Sequence, residues 1–485
     1  MLEKYIERNI FRKVYLCEQL FEFQEIDIEQ TAISLGVTTP TILHDLESLA
    51  ECLEYCIKEK IREKHKYKLI FKRGIALSEL TQFLYGQSYF LKFLSYYFKG
   101  IFTSTELADL EFISLSKVYT IKKSVLDFFK ENDYLKNKEI IIPEFDSRNI
   151  LLALVRYINW EGYESKNPHV EEACNELIDY VETHFFKRRY SEDEKSFIIR
   201  GIEIAIGRKT FPLELKEDKK SAETKPLFQL VCQGLEEQKG MLHLQEEDIY
   251  YIFSLFNSRN YTNENMELLR KDFEVVYKNF VLNDLSLNEL ILQILPVAEI
   301  DDADNFIFKQ SFLQFVRTLW ADGQVFLPER IYLLSEKEQL LYRKIVEVLD
   351  DWKKKNQIHL RWNDNFIRKF VKSLSLITRE QMIQQEIEIF VVSESSVKQF
   401  FYRTQFHLYA EEDMAEINPI LFRSLEELPD ECLCSKKRVV LCDAASYQTG
   451  LETEKTKVYP ISLKGANILL YRIAQELHLL KKHIS

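Results

Sequence analysis

Apolar residues recur at helical spacing between positions 26 and 53, and they predict two short helices joined by a tight turn. The buried positions expected are Ile28, Ala32 and Leu35 in the first helix and Ile42, Leu46, Leu49 and Leu53 in the second. Gly36 can adopt the left-handed conformation that a sharp turn requires. Thr39 is the expected N-cap of the second helix, with Pro40 at its first helical position.

The second helix leaves a polar face directed outward. Its members are Thr38, Thr39, Thr41, His44 and Ser48. A helix-turn-helix presents such a face to the major groove of DNA, where short polar side chains reach base edges and phosphates. An ordinary helical hairpin shows the same pattern, and this stretch taken alone favours that interpretation.

A second pattern of the same kind follows between Thr103 and Lys130. Thr105 or Ser104 is the expected cap of its first helix, and Ser114 and Ser116 open the second. The expected buried positions of that second helix are Val118, Ile121, Val125 and Phe129, and the expected outward positions are Ser116, Lys117, Tyr119, Thr120, Lys122 and Lys123. The alternating segment Tyr134–Ile142 predicts a β-hairpin, or wing. Two such units in tandem are more specific than one and favour DNA binding.

The rest of the chain divides into a helical body and a mixed tail. A single aromatic helix is predicted over Leu77–Phe98, packed between the two units. Helices predicted in the body are Asn149–Gly162, His169–Phe186, Ser191–Arg208, Glu246–Ser258, Asn263–Val281, Ser286–Leu295, Ala303–Trp320, Ser335–Lys355 and Asp364–Ile383. The tail predicts strands at Glu386–Val392, Arg438–Cys442 and Lys457–Ser462, alternating with helices Val397–Ala410 and Lys464–His483. This alternation is typical of a small parallel α/β domain with right-handed crossovers.

The charge distribution adds a candidate DNA contact. The net charge is −12, of which residues 1–150 hold only −2. The one strongly basic run lies between Lys58 and Arg73, just after the first candidate recognition helix. A solvated helix face is the usual origin of such a run. Here its position favours a wing that contacts phosphates, with Lys64, Lys66 and Lys68 as the candidate residues.

Composition narrows the class of protein. No apolar run approaches the roughly 20 residues of a membrane span, and the N-terminus lacks an apolar signal core. Eight scattered cysteines in 485 residues do not form a disulfide framework. We therefore expect a cytoplasmic, reduced protein with no membrane partner.

The order of these parts resembles the Mga/AtxA family of transcriptional regulators from Gram-positive bacteria. The matching stretches are VTTPTILHDLESL, ISLSKVYTIKKSVLDFF and EFDSRNILLALVRYINWE, the last carrying Arg148 after an acidic residue. The first recognition helix departs from the family pattern, because Leu43 and His44 stand where relatives often carry basic residues.

The resemblance implies a mainly α-helical, multidomain protein. Its expected domains are two winged helix-turn-helix domains (1–75 and 76–150), two helical domains of the phosphotransferase-system regulation type, called PRD-like (151–282 and 283–384), and an EIIB-like α/β domain (385–485). The implied function is that of a global transcriptional regulator, an activator, that binds double-stranded DNA and forms a homodimer through its C-terminal region. The final helix, with Ile468, Leu469, Ile473, Leu477 and Leu480, offers the apolar surface for that contact, unless it simply covers its own sheet.

The resemblance implies helical domains that are phosphorylated on histidine in some relatives, and an EIIB-like domain whose true counterparts carry the phosphate on a cysteine after the first strand. The positions of this chain that match the histidines hold Ser196 and a residue near Leu376, and the position that matches the cysteine holds Ser396, so no acceptor is expected there. His169, His184, His243 and His359 lie elsewhere in the helical body. The carrier protein of the phosphotransferase system is kept as a candidate partner.

No enzyme motif is present: GxxxxGK[ST], GxSxG, HExxH and GxGxxG are all absent. Neither Cys52 with Cys56, nor Cys432, Cys434 and Cys442, has the spacing of a zinc site, and the acidic run 301–304 is better explained by helix capping. No metal or cofactor is expected. The alternative function is a protein-interaction scaffold or phosphotransferase component whose helix-turn-helix units do not bind DNA.

Overall fold

The computed structural model describes residues 2–163, 168–214, 222–300, 305–317, 325–358, 360–377, 387–409, 415–429, 437–447, 452–453 and 456–476. Within these ranges the chain is mainly α-helical and carries small β-sheets. The predicted fold class is confirmed at this level, because helices make up most of the chain and a parallel sheet forms near its end.

The first helix-turn-helix unit is built on a three-stranded antiparallel sheet in the order β1-β3-β2. Its elements are α1 (Arg8–Phe23), β1 (Glu25–Asp27), α2 (Ile28–Leu35), α3 (Thr39–Cys52), β2 (Ile57–Arg62) and β3 (Lys66–Phe71), with 3-10 helices at Leu2–Lys4 and Glu54–Cys56. Gly36 ends α2 with φ 64°, as predicted. The predicted N-cap of α3 is wrong by one residue. Thr38 is extended, and its hydroxyl accepts from the backbone N–H of Thr41.

The second unit contains α4 (Leu77–Tyr85), α5 (Tyr89–Phe98), α6 (Ser104–Glu111), α7 (Leu115–Glu131), β4 (Leu135–Lys136) and β5 (Glu139–Ile140). Two predictions are corrected here. Thr103, not Ser104 or Thr105, caps α6. The predicted helix Leu77–Phe98 is two helices, because Ser88 is extended and caps a new helix start, its hydroxyl accepting from the Leu91 N–H (3.3 Å). The carboxylate of Glu7 accepts from the Ser88 hydroxyl (2.6 Å) and from the Tyr89 N–H (3.0 Å) at the same helix start.

The helical body follows. It consists of α8 (Glu144–Ile158), α9 (Pro168–His184), β6 (Arg188–Arg189), α10 (Glu192–Gly207), α11 (Pro226–Glu237), α12 (Lys239–Leu242), α13 (Asp248–Ser258), β7 (Thr262–Asn263), α14 (Met266–Tyr277), a π-helical turn (Lys278–Leu282), α15 (Leu285–Val297), α16 (Phe306–Arg317), α17 (Glu336–Asn356) and α18 (Asp364–Ile377). The sequence analysis missed α11. One continuous cluster of buried apolar side chains joins this body to both helix-turn-helix units, from Leu2 to Leu374.

The C-terminal part contains β8 (Ile387–Val392), α19 (Ser396–Tyr409), β9 (Ala415–Ile417), β10 (Lys437–Asp443), β11 (Thr456–Ile461) and α20 (Ala466–Glu476), with 3-10 helices at Leu425–Glu427 and Ala444–Ser446. The strands form a four-stranded sheet in the order β11-β10-β8-β9, and all three pairings are parallel. The predicted parallel sheet is therefore confirmed, with β9 added. Separate apolar clusters lie on its two faces, as expected of strands that read as nearly continuous apolar runs.

Arg148 lies at the junction between the second unit and the helical body and is fully buried. Its guanidinium donates to Glu144 Oε1 (2.9 Å) and to Asp248 Oδ1 (2.6 Å). Glu144 also accepts from Arg208. This network ties the start of α8 to α10 and to α13.

Candidate nucleic-acid interface

The first recognition helix, α3, has the predicted amphipathic form. Its apolar stripe, formed by Ile42, Leu46, Leu49 and the following Leu53, is completely buried. A second anchor comes from Arg12 of α1, whose Nε donates to Asp45 Oδ2 at 2.6 Å. Thr38 and His44 are exposed, and Thr39, Thr41 and Ser48 are partly exposed. The predicted contact residues of this helix are therefore all at least partly accessible.

The basic run forms the predicted hairpin, β2 and β3, beside α3. Several of its cations are already paired. Lys60 forms an ion pair with Glu47 on the recognition helix, and Lys66 pairs with Glu25 of β1 at 2.5 Å. Lys64 at the turn is exposed and Lys68 is partly exposed, and neither has a carboxylate partner among the described residues. Of the three predicted phosphate contacts, Lys64 and Lys68 are thus the ones left available.

The second recognition helix, α7, exposes five of its six predicted contact residues. They are Ser116, Lys117, Tyr119, Thr120 and Lys123. Lys122 differs from the prediction, because it is partly buried and its ammonium donates to the carbonyl oxygen of Phe102 at 2.7 Å. Burial lowers the pKa of this ammonium. Lys122 therefore helps to hold α7 against the segment that precedes α6.

The second wing, β4 and β5, carries two exposed lysines that the sequence analysis did not single out, Lys136 and Lys138. Asn137 and Lys138 both have positive φ values, 50° and 72°. Positive φ at both central residues is the conformation of the tight turn preferred in two-residue hairpins. The signal in the sequence was Lys-Asn-Lys between Leu135 and Glu139, an Asn-containing turn that places both cations at the wing.

The turn between α6 and α7 exposes an aromatic side chain that was also missed. Phe112 is 94% exposed and has φ 52°, a conformation that favours glycine. Leu115 and Tyr119 on α7 are also exposed. Apolar side chains beside a recognition helix can contact the methyl groups of thymine.

The two units are fixed to one another through the N-terminal segment. Tyr5 stacks on Phe90 of α5 (ring centroids 5.3 Å apart) and meets Phe128 of α7 edge-on. Glu7 accepts hydrogen bonds at the start of α5, as described above, and Lys4 forms an ion pair with Glu131. The positions of α3 and α7 are therefore set by packing, which would fix the spacing between two contacts on DNA.

The positions matched to family phosphoacceptors differ in exposure. Ser196 is exposed, whereas Leu376 and Ser396 are buried. His169, His184 and His243 lie on the surface of the helical body, and the Nδ1 of His184 is 2.9 Å from the carbonyl oxygen of Tyr180. His359 lies outside the described residues.

The described residues contain no group of three or more histidine, cysteine or acidic side chains arranged to hold a metal ion. Cys56 is buried and Cys52 is partly exposed. Cys432, Cys434 and residues 301–304 lie outside the described ranges.

The sequence matches no model of a known protein family and no curated protein. The resemblance to the Mga/AtxA family therefore stays a prediction. Within the described ranges, no single helix combines the length and apolar character of a membrane span, and one sharply bent pair, Met266–Leu282 with Leu285–Val297, passes by length and composition only.

Proposed function

We propose that this protein is a cytoplasmic transcriptional regulator of the Mga/AtxA type, which binds double-stranded DNA through its two helix-turn-helix units. The observation that carries the proposal is the pairing of two recognition helices, α3 and α7, each with a buried apolar stripe, an accessible polar face and an adjacent β-hairpin. Two helical hairpins formed only for packing would have no need for a wing beside each of them.

The exposed lysines support phosphate contact at these surfaces, although the chain as a whole has a net charge of −12. Exposed lysines without a carboxylate partner among the described residues occur on both wings and on α7, namely Lys64, Lys117, Lys123, Lys136 and Lys138. Nonspecific affinity for DNA comes mainly from such contacts, and short polar side chains on α3 would add base discrimination.

The direct test is fluorescence anisotropy of a labelled A+T-rich duplex titrated with the full chain at several salt concentrations. We expect saturable binding, with an association constant whose logarithm falls linearly with the logarithm of the salt concentration. Absence of binding at low salt, for curved and straight duplexes alike, would contradict the proposal and favour the interaction-scaffold alternative.

We also propose that the regulator is a homodimer joined partly by its C-terminal domain. Ile468 on α20 is 63% exposed, whereas Ile473 on the same helix is buried against the sheet. Leu477 and Leu480 lie outside the described residues. A competing apolar surface exists on α15, where Leu285 and Leu292 are exposed.

Light scattering on full-length variants separates these two surfaces. Ile468→Lys should shift the protein from dimer to monomer, while Leu292→Lys should leave the dimer intact. The reverse result would move the interface to the helical body, and a monomeric parent protein would contradict the dimer.

A further inference from the structure

A polar cavity of about 160 Å³ lies in the helical body. Its walls come from α8, α10, α13, α16 and α18, from the segment 259–260 that follows α13 and from the segment 327–329 that precedes α17. A cavity near 150 Å³ is large enough for a molecule the size of benzene. This one is lined mostly by polar atoms, so its occupant would be polar.

The charged groups of the cavity leave one positive charge uncompensated. Its anions, Glu194 and Glu329, are each paired, with Arg259 at 3.2 Å and with Lys369 at 2.9 Å. The remaining cation is Arg156, which has no carboxylate within ion-pairing distance among the described residues. A single unbalanced guanidinium in a partly buried site favours an anion beside it.

Two guanidinium groups are held close together at this site. Arg259 lies over the ring of Phe197 at 3.8 Å and Arg156 lies 5.6 Å from the same ring. Burial lowers the pKa of Arg259, Glu194 opposes this shift, and the charge of Arg156 adds to it. Repulsion between the two cations would be relieved by an anion within the cavity.

A buried donor without a partner points to the same site. Ser311 on α16 lines the cavity and is 4% exposed, and its hydroxyl group has no hydrogen-bond partner in the described part of the chain. Buried hydroxyl groups normally have a partner, in the protein or in a bound molecule. Gln314, one turn further along α16, donates to Asn260 and closes the wall beside it.

We propose that this cavity binds a small oxyanion, a phosphate or carboxylate group, which pairs with Arg156 and accepts a hydrogen bond from Ser311. Arg156, Glu194, Gln314, Glu329 and Lys369 also line an adjoining chamber of about 470 Å³. That chamber reaches α4, between the helix-turn-helix units, and α19 of the C-terminal domain. Carboxylates outnumber cations along that chamber, where Glu192, Asp193, Glu394 and Asp443 are also present, so the oxyanion itself is expected in the smaller cavity beside Arg156.

The test is isothermal titration of the full chain with inorganic phosphate, acetate and glycerol 3-phosphate in separate arms, at constant ionic strength. Saturable binding is expected in at least one arm, and the arms distinguish phosphate from carboxylate. Arg156→Gln should weaken that binding about tenfold or more, and Ser311→Ala should weaken it to a smaller extent. Arg343→Gln, at an exposed and unpaired arginine on α17, is the matched charge control and should bind as the parent does.

Two results would overturn the proposal: no saturable binding in any arm, or equal affinity of the parent and Arg156→Gln. If Arg156→Gln does not fold, Ser311→Ala decides, and unchanged affinity of that variant overturns it. The measurement does not involve DNA. A negative result in this titration can therefore be distinguished from a failure of the proposed DNA binding.

Discussion

Replacing Lys117 and Lys123 by alanine together should weaken binding to all DNA sequences alike. Both lysines are exposed on α7, and neither has a carboxylate partner among the described residues. The ammonium of Lys117 lies 5.7 Å from the ring centroid of Tyr89, so its aliphatic part is supported while its charge stays accessible. We expect each ammonium to contact one phosphate.

The size of the effect follows from counterion release. Each phosphate contact contributes about −0.9 to the slope of log K against log salt concentration, so losing two contacts should make the slope shallower by about 1.8. If the affinity extrapolated to 1 M salt is unchanged, this difference corresponds to roughly 30-fold weaker binding at about 0.15 M salt. A change of this size exceeds the error of an anisotropy titration.

The assay is the anisotropy titration at several salt concentrations, with two unrelated duplexes. The matched control is Lys337→Ala with Lys344→Ala, which removes the same charge from two exposed positions on α17. It should leave the slope unchanged. Lys122→Ala is the internal comparison, because the ammonium of Lys122 is bound to the Phe102 carbonyl oxygen and should contribute little to the slope.

Equal slopes for the parent protein and the Lys117/Lys123 variant would remove α7 from the interface. A slope that changes equally in the Lys337/Lys344 control would show that net charge, and not position, governs binding. Either result would refute the assignment of phosphate contacts to this helix.

Three further predictions concern the body of the protein. Arg148→Met should destabilise the protein by about 3–5 kcal/mol in urea denaturation, because Asp248 would be left as a buried charge without its partner, and a loss below about 1 kcal/mol would contradict this. Burial raises the pKa of Glu18 to about 7, above its ordinary value. The contribution of Glu18 to stability is therefore complete at low pH and is lost as the pH rises through 7. Glu18→Gln should remove up to about 3 kcal/mol of the decline in the free energy of unfolding between pH 5 and pH 8, measured as the difference from the parent protein. Incubation with the phosphorylated carrier protein should leave no acid-labile label, and stoichiometric label on any histidine would show that the matched positions at Ser196, Leu376 and Ser396 missed the acceptor.

Periodicity in the sequence was enough to predict the elements whose burial depends on neighbouring residues. The apolar stripe of α3 and the polar face opposite it follow from spacing alone, and Gly36 marks the turn because few other residues tolerate its backbone conformation. The strands of the parallel sheet were also predictable, because nearly continuous apolar runs are expected when both faces of a sheet are covered.

Features set by distant partners were not predictable. The start of α5 has a local signal in its N-cap Ser88, but the carboxylate of Glu7 that also accepts from this helix start is 81 residues from Ser88 in the chain. The orientation of Lys122 depends on a backbone carbonyl 20 residues away, and the pairing of Lys60 with Glu47 depends on how the hairpin lies beside α3. The local sequence pattern identifies a side chain that faces away from the core. Only the tertiary structure shows whether its charge is already paired with another group.

The cavity around Arg156 was likewise not predictable from the sequence. Its lining residues come from five helices and two connecting segments, and they form no recognisable motif in the sequence. Within the described residues, Arg156 has no carboxylate partner and the Ser311 hydroxyl has no hydrogen-bond partner, and both facts depend on the packed structure. No spacing rule along the chain brings these two residues together.

The central claim is that DNA binds across both recognition helices and their wings, and hydrogen exchange of the full chain with and without duplex DNA tests it most directly. The account predicts slower exchange at the exposed starts of α3 and α7, where the first backbone N–H groups of each helix have no intrahelical partner, and at the turn of the first wing. Slower exchange confined to the helical body or the C-terminal domain, with both recognition helices unaffected by DNA, would contradict the account.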